Sequence, residues 1–173
     1  ALVNVPGSKL TSYGSGMYLH AGPETGVAST KAFTAQVLSG SLLVLALAQE
    51  GRLNAPHVAA FMSRARTLSA AISSILSEAD EYKAIGQSLK DVPRMLYIGR
   101  GYGLAVAKEG ALKMMEIARI PSLGMSAAAM KHGPIALIDE DMPIVFIAPK
   151  DAIYDKVISN LEEVRARGGR VIA

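Results

Sequence analysis

The stretch RMLYIGRGYG, residues 94–103, decides the fold. RMLYIG is a short apolar run that reads as a strand, and GRGYG turns it directly into a helical pattern over 102–119. Further on, PIALID (134–139) holds a turn or a short extended piece, and MPIVFIAP (142–149) is a strand closed by Pro149. DAIYDKVISNLEEVRARGG is a helix with Asp151 as its cap and Gly168-Gly169 as its stop, and RVIA begins another strand. From residue 94 the order is strand, helix, strand, helix, strand. That alternation predicts an α/β fold, a parallel sheet flanked by helices and joined by right-handed crossovers.

Upstream the pattern is different. ALVNV (1–5), closed by Pro6-Gly7, and GMYLHA (16–21) read as short strands, and GPETG (22–26) reads as a loop. Ser29 and Thr30 are N-cap types ahead of KAFTAQVLSGSLLVLALAQE, a helix expected to run to about residue 50 and to stop at Gly51. This helix is apolar nearly all round, which predicts burial or an interface. Residues 54–92 show amphipathic helical periodicity without a strand signal. They read as two helices, the first capped by Asn54 and the second within 79–90, bridging two lobes. The chain opens without Met inside a strand-like run and closes inside another, as an excerpt of a longer chain would.

The bulk composition excludes several classes. Half of the 173 residues are hydrophobic, enough for a packed core and unlike a disordered chain. The net charge of +3 is scattered, so the concentrated basic face of a nucleic-acid binder is missing. There are no cysteines, which rules out disulfides, thiolate metal sites and a cysteine nucleophile in this chain. No signal peptide is visible. The run VLSGSLLVLALA (37–48) is too short and too marked by Ser and Gly for a bilayer core of ~30 Å. No membrane role and no cofactor are expected, and no His/Asp/Glu cluster has metal-ligand spacing.

Four stretches can carry chemistry. GRGYG sits where α/β sheets bind ligands, between a strand end and a helix start, yet Leu104 breaks the dinucleotide pattern and a tight turn explains it equally well. GVASTKAF (26–33) offers hydroxyls and amides at a helix start, for an anion or sugar or simply for capping. EGALKMMEIARI (109–120) places Glu109, Lys113 and Glu116 at i, i+4 and i+7, on one helical face. A carboxylate among apolar residues is pulled one way by desolvation and the other by a neighbouring lysine, which is how enzymes tune a general base. A solvated ion-pair stripe is the alternative. MKHGP (130–134) sets His132 among turn formers, where it is either a proton carrier or an ordinary surface or core histidine. His20 and His57 have no such context.

Taken in order, AGPETGVASTKAFTAQ, EGALKMMEIARI, MKHGPIALID and LEEVRARGG closely resemble the isomerase half of the glutamine–fructose-6-phosphate aminotransferases, which is built of two sugar isomerase (SIS) lobes. The resemblance covers nearly the whole chain. It implies an SIS-type sheet, with residues 1–53 as the end of the first lobe, 54–92 as connecting helices and 93–173 as a second lobe truncated at its C-terminus. It implies isomerisation of fructose 6-phosphate, after ammonia condenses with it, to glucosamine 6-phosphate.

Residue by residue, the resemblance assigns Glu116 to the carboxylate that moves a proton between sugar C1 and C2, with Lys113 as its neighbour and Glu109 as a supporting acid. It assigns His132 to the ring-opening histidine supplied by a neighbouring subunit, and Val27 and Ser29 to the lining of the sugar site. Its further implications are a homodimer, a glutaminase domain elsewhere in the full-length chain, a cytoplasmic setting and no activity in these 173 residues alone. Two departures stand out: Ala128-Ala129 where the family usually reads Gly-Glu, and Leu123 where a Glu is expected. An amino-sugar-phosphate deaminase or deglycase, or a non-catalytic sugar-phosphate-binding SIS module, is the alternative reading of the same motifs.

Overall fold

The structure, a computed structural model, describes residues 1–49 and 55–173. Two compact units divide it, Ala1–Glu81 and Tyr82–Ala173. Gly51 and Asn54, the expected helix stop and cap, lie outside the described residues.

In the second unit a four-stranded sheet carries everything else. Its strands are β3 (Met95–Gly99), β4 (Ser122–Ser126), β5 (Pro143–Ile147) and β6 (Arg170–Ile172), in the spatial order β4-β3-β5-β6 and parallel throughout. Successive side chains of β3 point to opposite faces. Leu96 and Ile98 join Ile144, Phe146 and Met142 under the helix α5 (Tyr154–Arg165), whose Val157, Leu161 and Val164 close that core. Met95 faces the other way and packs with Leu89 and Ile120. The helix α3 (Ala79–Ser88) leads into this second cluster through Ile85. Helices therefore cover both faces, as a parallel sheet requires.

Between β3 and β4 runs α4 (Tyr102–Lys113), continued by a π turn, Met114–Ala118, and stopped by Arg119 in the left-handed conformation (φ 57°). The expected helix over 102–119 is thus present but changes its winding after Lys113. The buried face of α4 is made of Gly103, Ala107 and Ala111, at steps of four. Small residues let the helix lie close to the sheet. A Cβ at Gly124 of β4 would stand 2.4 Å from the Lys108 Cα, and one at Gly99 would stand 2.1 Å from the Gly103 carbonyl oxygen.

The strand β4 is absent from the sequence expectation, because Ser122, Gly124 and Ser126 dilute its apolar signal. It inserts a second crossover: after β4 the chain makes two 3-10 turns, Ala127–His132 and Pro134–Leu137, before β5. PIALID is the turn of the two alternatives. Asp151 does not cap α5 directly. Its Oδ1 accepts from the Ile153 amide at 2.9 Å, one turn ahead of the helix, whose own N-cap position is Ile153 with no side-chain hydrogen bond.

In the first unit, β1 (Leu2–Val3) and β2 (Met17–Tyr18) pair in parallel. Asn4 holds the loop after them, donating to the Gly22 carbonyl at 2.7 Å and accepting from the Ala21 amide at 3.0 Å. The helices α1 (Lys31–Gln49) and α2 (Ala55–Ser77) follow. Of the two expectations for α1, burial or an interface, burial is incomplete among the described residues, since Val37, Leu43, Val44 and Leu47 are exposed. Its 18-residue window Lys31–Ala48 is long and apolar enough to cross a membrane by length and composition, more than the 37–48 run implied, yet α1 packs on β1 and α2 as a layer of a globular unit does.

Candidate active site

The face of α4 that turns away from the sheet ends in three charges. Lys113 Nζ lies 3.3 Å from Glu109 Oε1, one α turn back, and 2.7 Å from Glu116 Oε2, on the π turn ahead. One ammonium therefore bridges two carboxylates. The three side chains keep only 20–31% of their surface exposed, so the set is neither a solvated stripe nor a sealed core pair. The hydrogen bond to Glu116 is the chief cause that raises the Lys113 pKa above its ordinary value, with partial desolvation opposing and Glu109 adding to the rise. Lys113 stays an ammonium across the physiological range.

The π turn is what delivers Glu116. Five residues, Met114–Ala118, close this wider turn, a feature found disproportionately at functional sites. Ahead of it Gly110 packs against the Tyr97 ring, where a Cβ would fall 2.8 Å from ring carbons, so this end of the helix is seated directly on β3. Burial raises the pKa of Tyr97 itself, which stays a neutral phenol.

His132 closes the 3-10 turn after β4 and is exposed. Glu116 comes six residues before β4 and His132 six after it, so their segments leave opposite ends of a strand about 13 Å long. They also lie on opposite faces: Met114 packs with the Met95 cluster and Met130 with the α5 cluster. Among the described residues no hydrogen bond or ion pair joins His132 to the triad.

Val27 and Ser29 belong to the first unit. Val27 is fully displayed, and the Ser29 hydroxyl donates to Glu24 Oε1 at 3.3 Å. That same oxygen accepts from the amides of Thr30 (3.1 Å) and Ala32 (3.2 Å). The start of α1 is thus held by Glu24 from the preceding loop. Capping by Ser29 and Thr30 was the expectation, and a carboxylate five or more residues upstream was the part not read. Sequence reasoning also passed over Lys131 and Glu163, an ion pair at 2.8 Å between the His132 turn and α5. No metal-binding group of His, Asp and Glu forms among the described residues.

Comparison with known proteins gives this geometry a family. The SIS domain family matches residues 88–173. The isomerizing glutamine–fructose-6-phosphate aminotransferase of Chlorobaculum tepidum is 51% identical over 158 residues, 91% of this chain and 26% of that protein. Its counterpart in Bacteroides thetaiotaomicron is 44% identical over 160 residues, 92% of this chain and 26% of that protein. The solved C-terminal domain of glucosamine-fructose-6-phosphate aminotransferase from Francisella tularensis superposes with a TM-score of 0.94 at 37% identity, covering 97% of this chain and 48% of that one. The chain spans about a quarter of the length of the curated relatives it matches. With its parallel sheet, flanking helices and these relatives, the chain belongs to the SIS domain family, akin over nearly its full length to part of the isomerizing glutamine–fructose-6-phosphate aminotransferases.

Proposed function

We propose that this chain is the sugar-phosphate isomerase part of an enzyme that makes glucosamine 6-phosphate from fructose 6-phosphate and glutamine-derived ammonia. The observation that carries the reading is the Glu109–Lys113–Glu116 set, with Lys113 bridging both carboxylates at 3.3 and 2.7 Å on a half-shielded helix end. Isomerisation needs a base beside one carbon and the same proton, or its replacement, returned to the next. Glu116 takes the proton from C1 of the aminated sugar and C2 receives one. Lys113 holds the carboxylate in place and offsets the negative charge that builds on the enediol-like intermediate. Glu109 fixes the lysine from the other side. Val27 and Ser29 are the further residues that the resemblance assigns to sugar binding.

His132 opens the sugar ring in a neighbouring subunit. The supporting observation is its placement at the end of β4 opposite to Glu116, which favours two chains sharing one site over one chain folding back on itself. A cytoplasmic homodimer, joined in the full-length protein to a glutaminase domain, is the assembly this requires. Residues 1–53 belong to a first lobe, 54–92 are the connecting helices, and 93–173 belong to a second lobe. The deaminase or deglycase alternative has less support, because the relatives at 51% and 44% identity carry the aminotransferase name.

The test is Glu116→Gln in the full-length enzyme. Turnover of fructose 6-phosphate is expected to fall by about 10²–10⁴, the usual worth of a positioned base, while sugar binding measured by calorimetry stays within about twofold of the parent. Near-normal turnover refutes the role of Glu116.

A further inference from the structure

The turn that carries His132 is fixed on both sides of the histidine and free at the histidine itself. Met130 is completely buried in the cluster that Val157, Leu161 and Val164 of α5 close. Lys131 turns outward, and its ammonium meets Glu163 Oε1 of α5 at 2.8 Å. Glu163 Oε2 is buried with no hydrogen-bond partner among the described residues, so Lys131 is the carboxylate's charge partner there. Beyond the histidine, Gly133 takes a φ of 137° and Ile135 returns to pack on the α5 cluster, lining the same groove as Lys131 and Glu163. His132 stands between these anchors, exposed.

We propose that the Glu163–Lys131 ion pair is a positioning device for His132: it locks the 3-10 turn to α5 so that the imidazole is presented outward to the sugar held by a neighbouring subunit. The proposal rests on the assignment of His132 to ring opening. Neither Glu163 nor Lys131 touches the substrate, so both are positioning residues. Lys131 and Glu163 also line an adjoining groove, in which an anion-binding role is disfavoured by the groove's own charges. Arg100, Lys131 and Lys156 stand beside Asp155 and Glu163, and Arg100 already donates to the Asn160 side chain at 3.3 Å. A carboxylate and an ammonium held across two elements, next to a displayed histidine, are a strut.

The experiment uses the full-length enzyme with two substrates. One is fructose 6-phosphate; the other is 5-deoxyfructose 6-phosphate, which lacks the hydroxyl needed to close a furanose ring and so needs no opening. Glu163→Gln is expected to lower kcat on fructose 6-phosphate about tenfold with KM little changed, the scale of a small misplacement of a catalytic group. On the open-chain analogue kcat should stay at the parent value. In a His132→Asn background, Glu163→Gln should add no further loss, and the exchanged pair Lys131→Glu with Glu163→Lys should recover most of the rate on fructose 6-phosphate.

Equal losses on both substrates, or losses that multiply with His132→Asn, would make the pair merely structural and overturn the proposal. Unchanged turnover of Glu163→Gln would overturn it too, while leaving the role of His132 intact. Full turnover of His132→Asn alone would overturn both.

Discussion

Glu24 holds three donors with a single carboxylate oxygen, and this makes α1 sensitive to acid. Hydrogen bonding from the Ala32 amide is the largest cause lowering its pKa below the ordinary 4.5; the Thr30 amide, the Ser29 hydroxyl and Lys31 add to it, against some desolvation. A depressed carboxylate contributes stability above the unfolded value and loses it as pH falls through the folded one. Protection of the Thr30 and Ala32 amides against hydrogen exchange is therefore expected to hold at neutral pH and to collapse below pH 4.5. Glu24→Gln should weaken that protection at pH 7 and flatten the profile. Undiminished protection at pH 3 in the parent would contradict the capping role.

Lys113 runs the other way. Its raised pKa gives a contribution that is complete below 10.5 and fades only above it, so no change in the charge of Lys113 is expected between pH 6 and 9. At this scale the sequence was informative where spacing alone brings charges together, as at Glu109, Lys113 and Glu116. It was silent on Glu24 and Glu163, because their partners are set by loop geometry and by packing between elements distant in sequence.

Among the elements, α4 and β4 stand or fall together. A Cβ at Gly124 would meet Lys108 Cα, Lys108 N and the Ala107 carbonyl, all backbone atoms that cannot swing aside. Gly124→Ala should cost about 1–3 kcal/mol or more, as overpacking does, read as a lower urea midpoint. It should also disturb the Lys113–Glu116 contact, visible as a shift of the Lys113 ammonium resonance.

Arg119 offers the opposite change. A non-glycine residue in the left-handed region carries roughly 1 kcal/mol of strain, so Arg119→Gly is expected to be neutral or stabilising in spite of the extra freedom it gives the unfolded chain. A clear loss of stability would mean that the arginine side chain contributes more than its backbone costs.

Strands β3 and β5 were legible because MLYIG and PIVFI are compact apolar runs. The β4 segment was not, since an edge strand whose central glycine serves a helix looks like a loop. The π turn left no periodic trace either, because five residues are too few to separate its period from that of an α-helix.

For the whole molecule, the alternation from residue 94 was sufficient to read the α/β class, and the four motifs in order were sufficient to read the family. The exposure of α1 was not readable, because an all-round apolar helix says that something must cover it but not whether the cover lies in the same 173 residues. On the proposed assignment these residues alone should show no turnover of fructose 6-phosphate, and any measurable isomerisation by them would refute that.

The proposed sharing of a site between subunits has its own signature. Mixing full-length Glu116→Gln protein with His132→Asn protein, each strongly impaired alone, should restore about a quarter of the parent rate. Random pairing in a two-fold dimer makes half the dimers mixed, and each of these has one intact site of two. No recovery after subunit exchange would place both groups in one chain.

The π turn also bears on how this site is gained or lost by descent. A π turn differs from an α turn by one residue, so a single in-frame codon deletion within 114–118 would convert Met114–Ala118 to ordinary winding. Strand β3 and the buried face of α4 lie upstream of the change and would persist, while the residues after it would rotate by about 100° about the helix axis. One codon is thus the genetic distance between this helix as the proposed catalytic element and the same helix as a scaffold.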